Sequence, residues 1–406
     1  MTESAARVPL EGAVDAILPE ALDLSHRVHA TPEIAFQERQ AATWTAELLE
    51  RHGFDVTAPA GGLDTAFVAR WEGSRPGPVI AFAGEYDALP EVGHGCGHNL
   101  MCSSSAGAAI AAANVLGRDF GGEIRFIGTP AEEAGNGKVY LIREGLFDDV
   151  DACLQIHPSD SNSPEIVALA VTEIGVTFHG VLAHASSDPW LGKNALDAIV
   201  LLHTMVAQWR QHLKPGERVH GIITHGGAAP NIVPDLTAGR WYLRTPIDDD
   251  LDAMIERFRA MADAAAAATG CTVEIANDPV NRCRTMLNNP TMVALWTEHL
   301  VEAGREPDPT DSQAGSTDMA NVSHEVPTIH PYIRIAPRGT PWHSHEAAAH
   351  AGGPDGDEAL PVAIRVLAAT ALDLVRDPSL VERAWVELRE MGGGRRRTNA
   401  DGKGAG

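Results

Sequence analysis

Between residues 78 and 157, short apolar runs alternate with stretches of helical period: PVIAFAGE (78–85), SSSAGAAIAAANVLG (103–117), EIRFIGT (123–129), a helical run near Lys138–Glu144, and VDACLQIH (150–157). Short apolar runs of this kind are strands buried on both faces, and strands that alternate with helices build a mostly parallel α/β sheet with helices on both faces. Ahead of them, EIAFQERQAATWTAELLERH (33–52) places apolar residues at helical spacing and predicts a helix that Gly53 ends.

The pattern changes after Pro164. EIGVTFHGVLA (173–183) alternates like a half-exposed strand, and NALDAIVLLHTMVAQWRQHL (194–213) reads as a long helix. RVHGIITHG (218–226) and AGRWYLRT (238–245) read as strands, DLDAMIERFRAMADAAAAATG (250–270) as a helix and CTVEIAN (271–277) as a strand. That order is β-α-β-β-α-β, a ferredoxin-like α+β unit. The α/β character resumes at Asn289, with a strand TIHPYIRI (328–335) and a helix over Leu360–Val375. The expected organisation is a discontinuous α/β domain, 1–170 and 286–390, interrupted by an inserted unit at 171–285. The Gly-rich, basic end GGGRRRTNADGKGAG predicts a disordered tail over 391–406.

Composition limits the partners. The formal net charge of −24 argues against nucleic acid, because phosphate binding needs a basic face. No stretch reaches the apolar length expected of a membrane span, and the N-terminus lacks a basic region followed by an apolar one. The five cysteines are odd in number and irregular in spacing, so the expectation is a reducing, cytoplasmic setting without a disulfide framework.

Ligands of an open α/β sheet bind outside the carboxyl ends of its strands. There the first strand runs into Glu85, Asp87, Cys96 and His98, the second into Glu132 and Glu133, and the third ends at His157. A late segment, RGTPWHSHE (338–346), adds His343 and His345. Each residue alone has an ordinary explanation: a cysteine fills a core, and a pair of glutamates covers a solvated face. Their convergence at successive strand ends points to a metal centre. Thiolate and imidazole suit zinc, and the carboxylates widen the choice to manganese. Two adjacent acids can divide labour, one on the metal and one on a water. Cys102, Cys153, Cys271 and Cys283 lack that setting and read as core residues, and His94 reads equally as a neighbour of the ligands or as a loop histidine.

The motifs EYDALP, GHGCGHNL, GTPAEEAGNGK, LQIHP, HGVLAHASSDPWLGKNALDA, GGAAPNIVPD, STDMANVSHEVPTIHP and GTPWHSHEA together resemble the zinc aminoacylase/carboxypeptidase family. Within it they resemble the amidohydrolase branch that includes aminobenzoyl-glutamate hydrolase and the auxin-conjugate hydrolases. The likeness runs from about His29 to Thr370. It implies a dinuclear catalytic domain holding two divalent ions, split by a lid that pairs into a homodimer. By motif it implies Cys96, His98, Glu133, His157 and His343 as ligands, with His345 as the alternative to His343. It implies Glu132 as general base and His184 as a lid histidine that polarises the scissile carbonyl. Asn231, Arg244 and the Gly339 turn would meet the carboxylate end of a small amide substrate. Where the wider family has a ligand histidine this chain has Glu85, which leaves Asp87 to orient a ligand.

The implied reaction is hydrolysis of the amide of a small N-acyl or N-aroyl amino acid or dipeptide. The alternatives are hydrolysis of another activated C–N bond, such as deamination of an aromatic amine, and a non-catalytic binding protein on the same fold. The second would be expected to have lost part of the constellation.

Overall fold

The computed structural model describes residues 8–309 and 315–394. The chain divides into two compact units, one running to Val167 and resuming at Met286, the other Ala168–Thr285.

The first unit is built on a six-stranded sheet. Its order is Asp55–Thr57, Phe67–Glu72, Gly121–Gly128, Arg75–Gly84, Ala152–Leu154 and Thr328–Ile329. The first two pairings are antiparallel and the last three parallel, so the parallel half carries the strands that lead into the ligand-rich loops. The helix His98–Leu116 packs on this half and against the helices Leu10–Ala30 and Pro354–Arg376. Its Ala, Ser and Gly content makes that approach possible: a Cβ on Gly107 would sit 2.7 Å from Ile364 Cδ1. By length and composition alone this helix meets the criterion for a membrane span, contrary to the sequence expectation, yet it is the buried core of the unit.

Four expected segments differ. Only Arg39–Arg51 of the 33–52 stretch is helical. Before it, Phe36 adopts φ 63° and the Glu38 carboxylate turns inward to accept Phe36 N and Ala131 N, so the helix starts only at Arg39. The 150–157 strand splits into Ala152–Leu154 and His157–Ser159, and 328–335 splits in parallel into Thr328–Ile329 and Tyr332–Arg334. The two breaks face each other, because each half pairs with its counterpart: Cys153 with Thr328, His157 with Tyr332. At the C-terminus, residues 391–394 are packed rather than tail-like, with Gly393 and Gly394 buried and Gly394 N donating to His324 O at 2.8 Å. The rest of the expected tail lies outside the described residues.

The second unit is built on a five-stranded antiparallel sheet whose main path runs Thr272–Ala276, Ala170–His179, Leu236–Thr245, Arg218–His225, with the short strand Arg282–Cys283 also paired to Ala170–His179. This is the strand order of a ferredoxin-like fold, with the helices Ala195–Trp209 and Asp248–Thr269 packed on the sheet. Alternation in Ala170–His179 puts Ile174, Val176 and Phe178 into the core beside Trp241, Leu243, Leu202 and Phe258.

All five cysteines are free thiols. Cys102, Cys153 and Cys283 are buried, whereas Cys271, expected in the core, is only half-buried because it enters the outer strand of the second unit.

Candidate metal centre

The strand Arg75–Gly84 ends where Glu85 and Asp87 begin a buried loop, and that loop closes on Gly97, whose φ of 76° starts the helix carrying His98. The parallel strand Gly121–Gly128 delivers Glu132 and Glu133 through Ala131, held at φ 61° with its amide on Glu38. His157 opens the short strand next to the break described above. His343 arrives from the far end of the chain, at φ 57°, its amide donating to Gly95 O at 3.2 Å. A left-handed conformation is costly for a histidine and is retained here at a candidate ligand.

These residues meet in two clusters that share one atom. Cys96 Sγ lies 3.3 Å from His157 Nε2 and 3.6 Å from His343 Nε2. Cys96, His98 and His157 form one group of converging donors, and Cys96, Glu133 and His343 form the other. Cys96 Sγ is the donor atom common to both groups. Glu133 Oε2 is 3.6 Å from His343 Nε2, and its Oε1 is 3.8 Å from His98 Nε2. His345 starts the next helix, is exposed, and joins neither cluster among the described residues.

One carboxylate aligns two of these groups. Asp87 Oδ1 is 3.0 Å from His98 Nδ1, and Asp87 Oδ2 accepts the amide of Glu133 at 2.9 Å. Such partners fix the ring and turn its other nitrogen toward a metal. His157 is fixed likewise, its Nδ1 2.6 Å from Pro158 O. Burial, and after it the charge of His98, lowers the pKa of His157 to about 4, which keeps its imidazole neutral as a ligand must be.

Sequence reasoning left Glu85 without a role and did not single out Lys138, Asp318 or Glu38. Glu85 Oε1 accepts Lys138 Nζ at 2.5 Å, and Asp318 Oδ1 accepts the same ammonium at 2.6 Å. All three side chains are buried. A lysine within GNGK and an aspartate within STDM were in view only as parts of motifs, and nothing in their spacing pairs them. Glu85 Oε2 lies 3.2 Å from His98 Nε2, and Glu85, His98 and Glu132 form a third donor group.

The charge at this centre calls for cations. Glu85, Asp87, Glu132, Glu133 and Asp318 face a single ammonium, Lys138, which leaves four negative charges if all five acids ionise. Two divalent ions would balance those four, and a Cys96 thiolate would add a fifth. The carboxyl of Glu132 is pushed well above the ordinary range by desolvation, then by repulsion from Glu85, Glu133 and Asp318, although the residue as a whole is half-buried. Burial and then the charge of Glu133 push the Cys96 thiol up. His98 Nε2, despite the Glu85 oxygen at 3.2 Å, and Glu133 Oε1 are buried and make no hydrogen bond of good geometry. Such orphaned atoms are rare in a finished interior and mark where a missing group is held. The residues thus fit a dinuclear site.

The remaining expected residues lie elsewhere. Gly339 is an exposed turn glycine of the first unit, φ 88°, its amide donating to Asp160 Oδ2 at 2.7 Å. His184, Asn231 and Arg244 belong to the second unit. There Ala183–His184 pairs with Ile232–Val233, which brings His184 beside Asn231: Ala185 N donates to Asn231 O at 3.0 Å. Arg244 Nε is 3.3 Å from His220 Nε2.

Residues 81–373 match the model of peptidase family M20/M25/M40. The chain belongs to this family. It is 37% identical over 383 residues to the Xaa-Arg dipeptidase of Mus musculus, covering 90% of this chain and 88% of the relative. It is 29% identical to a component of the p-aminobenzoyl-glutamate hydrolase of Escherichia coli, over 94% of each chain. Among solved structures, a dinuclear metal-binding peptidase of the M20 family from Bacillus subtilis superposes with a TM-score of 0.68 at 21% identity, covering 89% of this chain and 99% of that one, and shares its fold. Like its M20 relatives this chain is a hydrolase acting on C–N bonds, and its chemistry is metal-dependent amide hydrolysis.

Proposed function

We propose that this M20 hydrolase cleaves the amide bond of dipeptide-like N-acyl amino acids, foremost dipeptides with a basic C-terminal residue. The observation that carries the reading is the buried centre itself: two donor clusters joined at Cys96, with Glu132 beside them. The identity to a Xaa-Arg dipeptidase along 90% of the chain supports the substrate class, and a net charge of −24 favours cationic substrates.

The ions are zinc or manganese, a choice the mixed thiolate, imidazole and carboxylate donors support. When bound, they supply Lewis acidity at the scissile carbonyl and lower the pKa of water. Cys96, His98 and His157 would hold one ion, and Cys96, Glu133 and His343 the other. Asp87 keeps His98 and Glu133 aligned. Glu132 accepts a proton from the attacking water and returns it to the leaving amine. His184 donates a hydrogen bond to the oxygen that gains charge. Asn231, Arg244 and the Gly339 turn engage the substrate's carboxylate.

We further propose a homodimer formed through the second unit, whose outer strand Arg218–His225 leaves Ile222 and Ile223 exposed. A cytoplasmic location is supported by five free thiols, one of them in the donor clusters.

The test is a metal-reconstituted screen of Xaa-Arg and other dipeptides, N-acyl amino acids and aminobenzoyl-glutamate. Cleavage of at least one class, lost by about 10²-fold or more in Glu132→Ala with metal content unchanged, is expected. Full turnover in Glu132→Ala would remove the base assignment. A metal-loaded protein inert on every amide would remove the function.

A further inference from the structure

The hydrogen bonds around His184 fix more than its position. After the short pairing of Ala183–His184 with Ile232–Val233 the chain turns back, and Asp188 N donates to His184 O at 3.2 Å. Inside that turn His184 Nδ1 accepts from Ser186 N at 3.3 Å and from Ser187 N at 3.1 Å, with the Ser186 hydroxyl 3.2 Å away. A backbone N–H can only donate. Nδ1 is therefore the acceptor nitrogen, and the single proton of a neutral ring sits on Nε2. Nε2 makes no hydrogen bond among the described residues, and the residue is exposed.

We infer that Ser186 and Ser187 are positioning residues whose backbone amides lock His184 as an Nε2–H donor. This rests on the reading that His184 assists amide hydrolysis, and it decides how. A histidine that faces substrate with a lone pair takes protons; one that faces it with N–H stabilises an oxyanion. The turn at Ser186–Ser187 selects the second role and leaves proton abstraction to Glu132. The lock acts through the main chain, so the serine side chains contribute little: Ser186→Ala keeps both amides, whereas Ser187→Pro removes one.

The imidazole nitrogens of His184 can be observed directly. In protein labelled with ¹⁵N at histidine and serine, the His184 signals are assigned by their absence in His184→Asn. Long-range ¹H–¹⁵N correlations are then recorded at alkaline pH. A ring free in solution exchanges between tautomers; the expected spectrum has one tautomer, protonated on Nε2, with a coupling through the hydrogen bond from Ser187 N to His184 Nδ1. A proton on Nδ1, or tautomer averaging without that coupling, overturns the proposal, and the wild-type spectrum alone decides this even if Ser187→Pro fails to fold. Ser186→Ala is expected to leave the spectrum unchanged and folded Ser187→Pro to give averaging with a lower kcat and little change in KM. His184→Gln, whose amide N–H reaches the place of Nε2, is expected to keep about 10-fold more kcat than His184→Asn, since a lost oxyanion donor costs about 10²–10³ in rate. The expected spectrum together with an undiminished kcat in His184→Ala would defeat the oxyanion role and leave the tautomer assignment standing.

Discussion

Cys96 and Cys102 sit six positions apart on one loop and helix, both buried, and chemistry separates them completely. Cys96 Sγ belongs to both donor clusters. Cys102 Sγ turns to Asn99 O at 3.4 Å inside the core helix, and burial raises its thiol pKa to about 12. A serine at position 96 replaces a thiol that can ionise with a hydroxyl that stays protonated near neutral pH, and it does so at the atom common to both donor clusters. Cys96→Ser is therefore expected to lower the content of both metals, while Cys102→Ser retains them. Metal analysis of the two purified variants measures this. Loss of only one ion in Cys96→Ser would show that the thiolate does not bridge.

At the scale of elements, the centre is held by links between segments far apart in sequence, and these decide what the sequence could show. The strand ends were legible because apolar runs mark buried strands and each run stops at a ligand-type residue. His157 was legible as a strand end, but the break at Gln155–Ile156 that redirects it was not, because it depends on pairing with a second broken strand some 170 residues on. Lys138 likewise has no local signal. Its ammonium joins Glu85, at the end of one strand, to Asp318, which precedes the short helix Met319–Ser323. Removing one member of a buried ion cluster leaves the others uncompensated, at a cost of about 3–5 kcal/mol. Lys138→Met is expected to destabilise the first unit by about that amount, read from its transition in urea. A change below about 1 kcal/mol would mean that solvent already screens the cluster. A second link predicts a pH dependence. His299, on the helix Pro290–Glu302, is 2.6 Å from Asp373 of Pro354–Arg376, and the Asp373 hydrogen bond raises its pKa. A raised histidine contributes stability fully below its unfolded pKa, about 6.5, and loses it as pH rises through the folded value. The melting-temperature gap between wild type and His299→Gln should be widest in acid and close in alkali. A gap that is constant with pH would make the contact one of packing alone.

For the whole molecule, the proposed homodimer would let His184 of one copy serve the centre of the other. In its own chain His184 is exposed, its Nδ1 is taken by the Ser186–Ser187 turn, and its Nε2 is left for a group outside that turn. The outer strand Arg218–His225 of the same unit ends in a run of exposed residues that includes Ile222 and Ile223. An unpaired apolar edge is a template for a second strand, and two identical edges pair around a two-fold axis, so that whatever one copy offers the other receives. If His184 acts across that axis, each centre draws Glu132 from one chain and His184 from the other. Glu132→Ala and His184→Ala chains are then each inactive as homodimers, for different reasons. A mixed dimer holds one centre lacking both groups and one with both intact, and should recover about half of the wild-type rate per dimer. Co-expression with two affinity tags isolates the heterodimer, and metal analysis confirms that its centres are loaded. Recovery of activity places His184 in the partner's reaction; verified, metal-loaded heterodimers that stay inactive place it in its own.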